Sequence, residues 1–296
     1  MNLKKMIVPV YKKYLNSVSR GYGFGKNPLV RGIVKKIESV LKSDFIEVQG
    51  CKMFLDKWDS LDLSINQVYN EFDTQTIKNQ VKQGDIVLDV GAHIGYYTLM
   101  LAKSVGKDGK VFSFEPEPHN IEILKKNITT NNYQNIILES KGVSNINKKC
   151  KLYSGLSSSG ASRIYKPERI LAKYHKDPID IQTVVLDEYF SKLDLVDKID
   201  FVKMDIEGAE ILALKGMKKI LRESKNLKLF VEFSKDALQD SGSNPEDLLN
   251  ILENEGFTIY YVHDIKNKII LADTNLLMTS ENYKTKTINL LCRKEG

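Results

Sequence analysis

The sequence predicts an α/β protein built around a doubly wound, mostly parallel sheet. From residue 86 onward, short runs rich in β-branched residues alternate with segments of helical spacing. The first run, Ile86–Val90, is too short for a helix and almost entirely apolar, which is typical of a strand buried on both faces. Gly91 and Gly95 then lead into a helical pattern, so the unit is a strand, a glycine turn and a helix. Such a Rossmann-like sheet binds ligands in a crevice at the carboxyl ends of its strands.

The chain divides into a basic N-terminal arm and helix at residues 1–44 and a main domain at residues 45–296. Residues 1–40 carry nine Lys or Arg and one acid, a charge of +8, which leaves −2 for the rest of a chain of net charge +6. A nearly neutral main domain argues against a nucleic-acid surface. Leu3 to Val18 has the pattern of an amphipathic helix. Such a helix could contact anionic lipid or hold a lipid-linked substrate at a membrane surface. We favour the alternative of a solvated arm or a helix packed on the domain.

The composition is that of an ordinary globular protein, with 42% hydrophobic and 28% charged residues. Cys51, Cys150 and Cys292 have neither a disulfide framework nor metal-ligand spacing, which favours a reducing compartment. No apolar run approaches the ~20 residues that a membrane span needs. We therefore expect a cytoplasmic protein, with peripheral membrane contact through the basic arm as the open alternative. The sequence gives no indication of the oligomeric state.

The elements follow in order along the main domain. Phe45–Leu55 predicts a β-hairpin that turns near Gln49–Gly50, and a helix follows from about Gln67 to Gln83, ended by Gly84. Beyond it the patterns predict strands at 86–90, 110–115, 135–140, 199–205, 227–233, 257–262 and 288–292, and helices at 94–103, 119–131, 207–222 and 244–255.

An insertion at about residues 150–186 separates the third and fourth sheet strands. It begins with the small and polar stretch Gly155–Ser162 and ends in an additional strand at 181–186. Loops of this composition often cover an active site, although a surface excursion is equally consistent with the sequence. Basic and aromatic residues follow the glycine-serine stretch: Arg163, Tyr165, Arg169, Tyr174 and His175.

The glycine turn indicates the kind of ligand. Gly91-x-x-x-Gly95 departs from the dinucleotide pattern G-x-G-x-x-G, and Asp89 stands two residues before the first glycine. A carboxylate there repels a pyrophosphate and suits a cationic ligand such as S-adenosylmethionine. Glu115, 24 positions after Gly91, ends the second strand and can accept hydrogen bonds from ribose hydroxyls. NAD remains the rival ligand, and a tight turn without any ligand remains the structural alternative.

Three acids at the ends of the fourth and fifth strands are candidates for catalysis: Asp205, Glu207 and Glu232. If the ligand at the glycine turn is S-adenosylmethionine, methyl transfer to a hydroxyl would need close alignment and a base that removes the proton, and clustered acids raise one another's pKa toward neutrality. We expect Asp205 to orient the methionine amine or the acceptor. Glu207 and Glu210 have the alternative role of stabilising the positive end of the next helix. The same carboxylates could hold a divalent metal, an alternative that we do not favour.

Three motifs resemble the FkbM-type methyltransferases, a class I family that depends on S-adenosylmethionine. They are Asp-Val-Gly-Ala-His-Ile-Gly-Tyr-Tyr-Thr at 89–98, Phe-Glu-Pro-Glu-Pro at 114–118 and Lys-Met-Asp-Ile-Glu-Gly-Ala-Glu at 203–210. The resemblance runs from about Phe45 to Arg293. His93 stands where the family commonly has Asn. The resemblance implies a class I methyltransferase sheet with an antiparallel last strand.

The resemblance also implies residue roles and an activity. Glu115 would hold the ribose, Pro116 would shape the adenosine wall, and Gly142 and Val143 would line the adenine. The activity implied is O-methylation of a sugar, glycolipid or natural-product hydroxyl, so that the partner is a small-molecule or glycan acceptor. An NAD-dependent oxidoreductase and a non-catalytic module that binds nucleotide or membrane remain the rivals. The remaining cofactor residues implied lie at the glycine turn: Asp89, Gly91, Ala92, Gly95 and Tyr96, with Asp205 opposite.

Overall fold

The computed structural model describes residues 45–57, 59–155, 160–166, 177–279 and 287–294. The predicted N-terminal arm and helix lie outside the described residues, as do Arg169, Tyr174 and His175 of the insertion, so the role predicted for the arm stays a prediction. Within these ranges the helices are α1 (Leu63–Asn66), α2 (Glu71–Gln80), α3 (Tyr96–Val105), α4 (Pro118–Thr130), α5 (Leu186–Ser191), α6 (Glu210–Lys215), α7 (Lys218–Glu223), α8 (Lys235–Asp240), α9 (Pro245–Asn254) and α10 (Thr274–Thr279), with 3₁₀ turns at Val196–Lys198 and Asp264–Lys266.

The strands form an eight-stranded sheet, a three-stranded sheet and a hairpin within the same ranges. They are β1 (Phe45–Val48), β2 (Cys51–Phe54), β3 (Ile86–Val90), β4 (Lys110–Phe114), β5 (Ile136–Glu139), β6 (Gly142–Val143), β7 (Lys149–Leu152), β8 (Ile179–Val184), β9 (Phe201–Met204), β10 (Lys228–Phe233), β11 (Phe257–His263), β12 (Lys268–Leu271) and β13 (Ile288–Lys294).

The large sheet confirms the predicted fold class. Its order is β12-β11-β13-β10-β9-β3-β4-β5. Strands β10, β9, β3, β4 and β5 are mutually parallel, and β13 is antiparallel to both β10 and β11. The first strand of the Rossmann-like unit, β3, therefore lies inside the sheet, and the order changes direction beside it. This is the position at which doubly wound sheets form a ligand crevice.

Both faces of the sheet are covered, as a doubly wound fold requires. Val87 and Leu88, neighbours on β3, belong to two different hydrophobic clusters because successive side chains point to opposite faces. Leu88 packs in the cluster that contains residues of α6, α7 and α9, and Val87 packs in the one that contains residues of α2 and α3. Both side chains are fully buried, which accounts for the uninterrupted apolar pattern of the strand.

Two predicted helices differ from the structure. The helix expected to end at Gly84 stops at Gln80, and Val81 is already extended. Gly84 instead lies in a turn whose amide donates to the carbonyl of Val105 at 2.9 Å, a contact with the end of α3. The single helix predicted at 207–222 is wrong, because the structure has the separate helices α6 and α7.

The insertion starts earlier than predicted and has its own small sheet, in the order β6-β8-β7. Strand β8 pairs parallel with β6 and antiparallel with β7. The strand predicted at 181–186 is therefore shifted to 179–184, and residues 186–191 form α5. An isolated antiparallel bridge joins Tyr153 and Arg163, the residues on either side of the glycine-serine stretch.

Candidate active site

A cavity of about 220 Å³ lies at the carboxyl ends of β3, β4 and β9. The turn after β3 and the residues after β4 form one wall, and the end of β9 forms another. Residues 160–162 and Ile164 of the insertion contribute a third wall, which agrees with the expectation that this loop covers a site. The predicted site residues in the lining are Gly91, Ala92, Tyr96, Glu115, Pro116, Gly142, Val143, Asp205, Glu207 and Glu232.

The glycine turn is fastened to its neighbours by its own backbone. Gly91 has a φ of +83°, and a Cβ atom there would lie 1.9 Å from the carbonyl oxygen of Asp205, so no other residue fits between β3 and β9. The amides of Gly91 and Ala92 both donate to the carbonyl of Phe114, at 3.0 and 3.1 Å. These two amides are therefore not available to cradle a pyrophosphate. Gly95, with a φ of +98°, begins α3 outside the cavity lining.

Glu115 lies against the turn and is almost fully buried. Its Oε2 accepts the amide of His93 at 2.8 Å, and its Oε1 accepts the amide of Glu117 at 2.9 Å and the side-chain amide of Asn120 at 3.3 Å. Burial raises the pKa of Glu115 to about 7, although these hydrogen bonds oppose the shift. A carboxylate oxygen can accept more than one hydrogen bond, so Oε2 retains capacity for a ligand hydroxyl.

His93 has a left-handed backbone, with a φ of +52°. Asn, Asp and His adopt this conformation more often than other residues that carry a side chain. Burial lowers the pKa of His93 to about 4, so the ring is neutral at neutral pH. Its Nε2 lies 3.8 Å from Asp56 Oδ2, a polar contact between a neutral ring and a buried carboxylate.

Lys203, on β9, is a central residue of the site that the sequence analysis did not single out. Its Nζ donates to the carbonyl of Gly91 at 3.0 Å and lies 3.7 Å from one carboxylate oxygen each of Asp89 and Asp205. Burial lowers the pKa of Lys203, but the charges of Asp205 and Asp89 outweigh burial and raise it overall. The available signal was a lysine inside an otherwise apolar buried strand, since a buried charge needs a partner.

Asp89 is not part of the cavity wall, where the sequence analysis had placed it. Its side chain is 0% exposed, and its Oδ2 accepts the hydroxyl of Thr98 at 2.6 Å. Asp89 and Lys203 are direct partners in the register of β3 and β9, so both side chains emerge on the same face of the sheet. The carboxylate of Asp89 therefore does not contact the cavity directly, and it can affect a ligand there only through its ion pair with Lys203.

The three predicted catalytic acids meet in the cavity lining. Burial and the charge of Asp205 raise the pKa of Glu207 to about 7, against the opposing effect of Arg163, whose Nη2 lies 3.3 Å from Glu207 Oε2. Burial, followed by the charges of Asp205 and Glu207, raises the pKa of Glu232 well above its usual range. Glu210 faces the backbone instead, since its Oε1 accepts the amides of Ile206 and Gly208 at 3.0 and 3.3 Å. The turn-stabilising alternative for Glu210 agrees with this geometry.

Glu232 also lines a second cavity of about 520 Å³ beside the first. Tyr69 is the other residue shared by the two linings. The second cavity lies between the start of α2 and the sheet strands β11 and β13. Glu232 and Tyr69 therefore border both cavities.

The described residues contain no group of three or more His, Cys, Asp or Glu side chains placed to hold a metal ion. Over the same ranges, no helix has both the length and the apolar character needed to cross a membrane.

Comparison with known proteins identifies the family. The model of the methyltransferase FkbM domain matches residues 89–259, more than half of the chain. A probable cobalt-precorrin-6B C(15)-methyltransferase (decarboxylating) of Saccharolobus solfataricus is 30% identical over 148 residues, covering 48% of this chain and 72% of the relative.

Two further relatives are named for sugar or oxygen methylation. The 2-O-methyltransferase NoeI of Sinorhizobium fredii is 22% identical over 66% of this chain and 82% of its own. The hexuronic acid methyltransferase AglP of Haloferax volcanii is 28% identical over 58% of this chain, which spans only 63% of AglP. A solved SAM-dependent methyltransferase of Aquifex aeolicus aligns over 79% of this chain and 93% of its own, at 17% identity and a TM-score of 0.41. The chain belongs to the FkbM family of methyltransferases and is an enzyme that uses S-adenosylmethionine.

Proposed function

We propose that this enzyme methylates a hydroxyl group of a sugar and that Glu232 is the base that removes the hydroxyl proton. The observation that carries the proposal is the position of Glu232 in the wall shared by two cavities. The first cavity has the residues that suit the methyl donor, and the second has room for an acceptor. A base for methyl transfer must contact the acceptor close to the reacting methyl group.

The residues of the first cavity fit S-adenosylmethionine better than a dinucleotide. Glu115 would accept hydrogen bonds from the ribose, and Pro116, Gly142 and Val143 would contact the adenosine. The half-exposed carboxylate of Asp205 would bind the methionine amine, held in place by the ammonium group of Lys203. S-adenosylmethionine supplies an electrophilic methyl carbon when it is bound. NAD is disfavoured because the amides of Gly91 and Ala92, which a pyrophosphate would need, already donate to Phe114.

Glu232 is favoured over Glu207 as the base because of their neighbours. Glu207 faces Arg163, whose guanidinium stabilises the ionised carboxylate and limits its access to an acceptor. Glu232 has acidic neighbours, and its raised pKa makes the ionised form a stronger proton acceptor. The proton of the acceptor hydroxyl would pass to a carboxylate oxygen of Glu232. Asp205 would stay beside Lys203, whose Nζ lies 3.7 Å from its Oδ2.

The relatives support oxygen as the acceptor atom and a sugar as the acceptor class. NoeI is named as a 2-O-methyltransferase and AglP as a hexuronic acid methyltransferase. The relative with the highest identity of the three is named for methylation of a precorrin, so the sugar class rests on the other two names and on the polar second cavity.

The proposal is tested first by ligand binding and turnover. Calorimetry should detect binding of S-adenosylmethionine and of S-adenosylhomocysteine but not of NADH. Incubation with radiolabelled S-adenosylmethionine and a panel of glycans should label a sugar hydroxyl, located by mass spectrometry. Transfer to carbon or nitrogen, or binding of NADH alone, would contradict the proposal.

Glu232→Gln tests the assignment of the base. The variant should lose about 10²–10⁴-fold in kcat, with little change in the dissociation constant of S-adenosylmethionine. Glu246→Gln, on the exposed first turn of α9, is the matched control and should retain full activity. Retention of kcat in Glu232→Gln, together with its loss in Glu207→Gln, would move the role of base to Glu207.

A further inference from the structure

Tyr69 borders both cavities and has no role in the proposed reaction. It lines the first cavity and, together with Glu232, the second. Its amide donates to the hydroxyl of Tyr96 at 3.2 Å, and its carbonyl accepts the hydroxyl of Thr74 at 2.6 Å. The ring packs edge-on against the rings of Tyr96 and Tyr97, with centroids 5.9 and 6.2 Å away. Helices α2 and α3 therefore hold both the backbone and the ring of Tyr69 in the cavity wall.

The hydroxyl of Tyr69 is the part of the side chain that this packing leaves available. Among the described residues, no donor or acceptor is hydrogen-bonded to it. Burial raises the pKa of Tyr69 above its ordinary value, and the charges of Asp205 and then Glu232 add to the shift. These charges reach Tyr69 because both carboxylates lie in the lining of the same cavity. The phenol therefore keeps its proton well above neutral pH and can donate a hydrogen bond.

The methionine end of S-adenosylmethionine carries an ammonium group and a carboxylate on one carbon atom. Because Asp205 is proposed to bind the ammonium group, the carboxylate must also lie close to Asp205. An ionised carboxylate only accepts hydrogen bonds, and the cavity lining near Asp205 has the further acids Glu207 and Glu232. An anion beside these acids is unfavourable unless a donor contacts it. The methionine carboxylate therefore needs a hydrogen-bond donor at this position.

Several other polar groups in the described lining could donate, but they already have partners. Lys203 lies between Asp89 and Asp205. Further donors with a partner are Lys141 with Glu139, Asn120 with Glu115, Ser162 with Ser154, and the amides of Gly91 and Ala92 with Phe114. Tyr69 differs from these groups because its hydroxyl has no described partner and its pKa responds to the charge of Asp205.

We propose that the hydroxyl of Tyr69 donates a hydrogen bond to the carboxylate of the methionine moiety of S-adenosylmethionine. Asp205 and Tyr69 would together bind the two charged groups of that moiety and so position the sulfonium. Because Tyr69 also lines the second cavity, this bond would hold the methyl donor beside the place proposed for the acceptor. The inference rests on the role proposed for Asp205 and adds a second residue that binds the methionine moiety.

Two forms of the methyl donor test the inference. Decarboxylated S-adenosylmethionine keeps the sulfonium and the amine of S-adenosylmethionine but lacks the carboxylate. Calorimetry on the full chain measures both dissociation constants without any acceptor. Tyr69→Phe, which removes only the hydroxyl, should weaken the binding of S-adenosylmethionine by about tenfold or more and leave the binding of the decarboxylated form unchanged. Without ligand, Tyr69→Phe should unfold at the same denaturant concentration as the natural chain, since the hydroxyl has no described partner.

Tyr133→Phe is the matched control, because it removes a tyrosine hydroxyl outside the site. The hydroxyl of Tyr133 contacts Cys51 Sγ at 3.2 Å, and Tyr133 belongs to the described lining of neither cavity. Both ligands should therefore bind to this variant as they do to the natural chain. Equal losses for the two ligands in Tyr69→Phe, or no loss for S-adenosylmethionine, overturn the inference. A lower kcat with unchanged binding of S-adenosylmethionine also overturns it and would place the hydroxyl beside the acceptor instead.

Asp205→Asn tests the role on which the inference rests. Because both ligands keep the amine, this variant should weaken the binding of both by about tenfold or more. If it does so while Tyr69→Phe does not distinguish the two ligands, the inference is overturned and the proposed role of Asp205 stands. If Tyr69→Phe weakens S-adenosylmethionine alone while Asp205→Asn changes neither ligand, the inference is supported and the proposed role of Asp205 is contradicted.

Discussion

Lys203 contacts the glycine turn and two carboxylates at once. Its ammonium group donates to the carbonyl of Gly91 and lies 3.7 Å from oxygens of both Asp89 and Asp205. Since Asp89 is fully buried, removal of the cation would leave an uncompensated charge inside the protein. Lys203 is therefore expected to stabilise the sheet and to hold Asp205 in the cavity wall.

Lys203→Met should lower the free energy of unfolding by about 3–5 kcal/mol, because Asp89 loses its buried partner. The double variant Lys203→Met/Asp89→Asn should recover part of this loss, since no buried charge then remains unpaired. Denaturant unfolding measures both values, with the exposed Lys198→Met as the control, expected within about 0.5 kcal/mol of the natural chain. Strictly additive losses in the double variant would show that the two side chains are not coupled.

Gly91→Ala should be among the most destabilising changes in the glycine turn. The new Cβ would meet the Asp205 carbonyl at 1.9 Å, and alanine also disfavours a positive φ, so we expect a loss of about 3 kcal/mol or more. Gly84→Ala is the matched control, since Gly84 has a φ of +86° and nothing within 4 Å of the added Cβ. That variant should lose only about 1 kcal/mol in thermal or denaturant unfolding. Equal losses at the two positions would exclude the steric contact as the cause.

At the scale of elements, α5 and α7 show how one helix depends on another. The carboxylate of Asp187, on α5, accepts the amides of Lys219 and Ile220 at 2.9 and 3.1 Å. These amides lie in the first turn of α7, whose own N-cap residue, Met217, has no side-chain cap. Asp187 therefore caps a helix that lies about thirty residues further along the chain. A single periodic pattern in the sequence is consequently divided into two helices.

Asp187→Ala should lower the free energy of unfolding by about 1–2 kcal/mol, because two helix amides lose their acceptor. Asp187→Asn retains one side-chain oxygen acceptor and should lose less. Glu223→Ala, at the exposed end of α7, is the control and should change stability by less than about 0.5 kcal/mol. If Asp187→Ala unfolds at the same denaturant concentration as the natural chain, the capping contact does not stabilise α7.

For the whole molecule, the buried carboxyl groups predict an unusual dependence of stability on pH. Folding raises the pKa of Glu115, Glu207 and Glu210 from 4.5 to about 7 and that of Asp73 from 3.8 to about 6. The folded chain therefore binds more protons than the unfolded chain in this window, and these groups make stability fall as pH rises. The lowered pKa of His93 makes stability rise with pH between about 4 and 6.5, but His93 contributes only one proton to the balance.

The ligand-free protein should accordingly lose stability between pH 5 and pH 7, by roughly 3 kcal/mol per pH unit, since the folded chain binds about two more protons there than the unfolded chain. Denaturant unfolding across this range measures the slope. Glu210→Gln, which cannot titrate, should flatten it, whereas the exposed Glu246→Gln should not. A free energy of unfolding that increases steadily from pH 5 to pH 7 would contradict the proton balance.

Much of the fold was predictable because its signals are local. The parallel sheet was predicted from the apolar run of β3, the glycine turn and the alternation of strand and helix patterns. Three of the cavity residues were predicted because they are acids at strand ends: Asp205, Glu207 and Glu232. The sequence could not distinguish Asp89 from these acids, although it lies behind the cavity wall. The depth of a carboxylate below the surface depends on neighbouring strands, which a pattern along one strand does not specify.

The sequence by itself determined the class of fold, the glycine turn and the edge of the sheet at which ligands bind, since each depends on periodicity or on residue types within a few positions. Tertiary structure alone decided that Lys203 pairs with Asp89 across β9 and β3, that Asp187 caps α7, and that Glu232 separates two cavities. The physical reason is that each of these contacts joins residues far apart in the chain, and strand register and helix packing bring them together only in the folded protein.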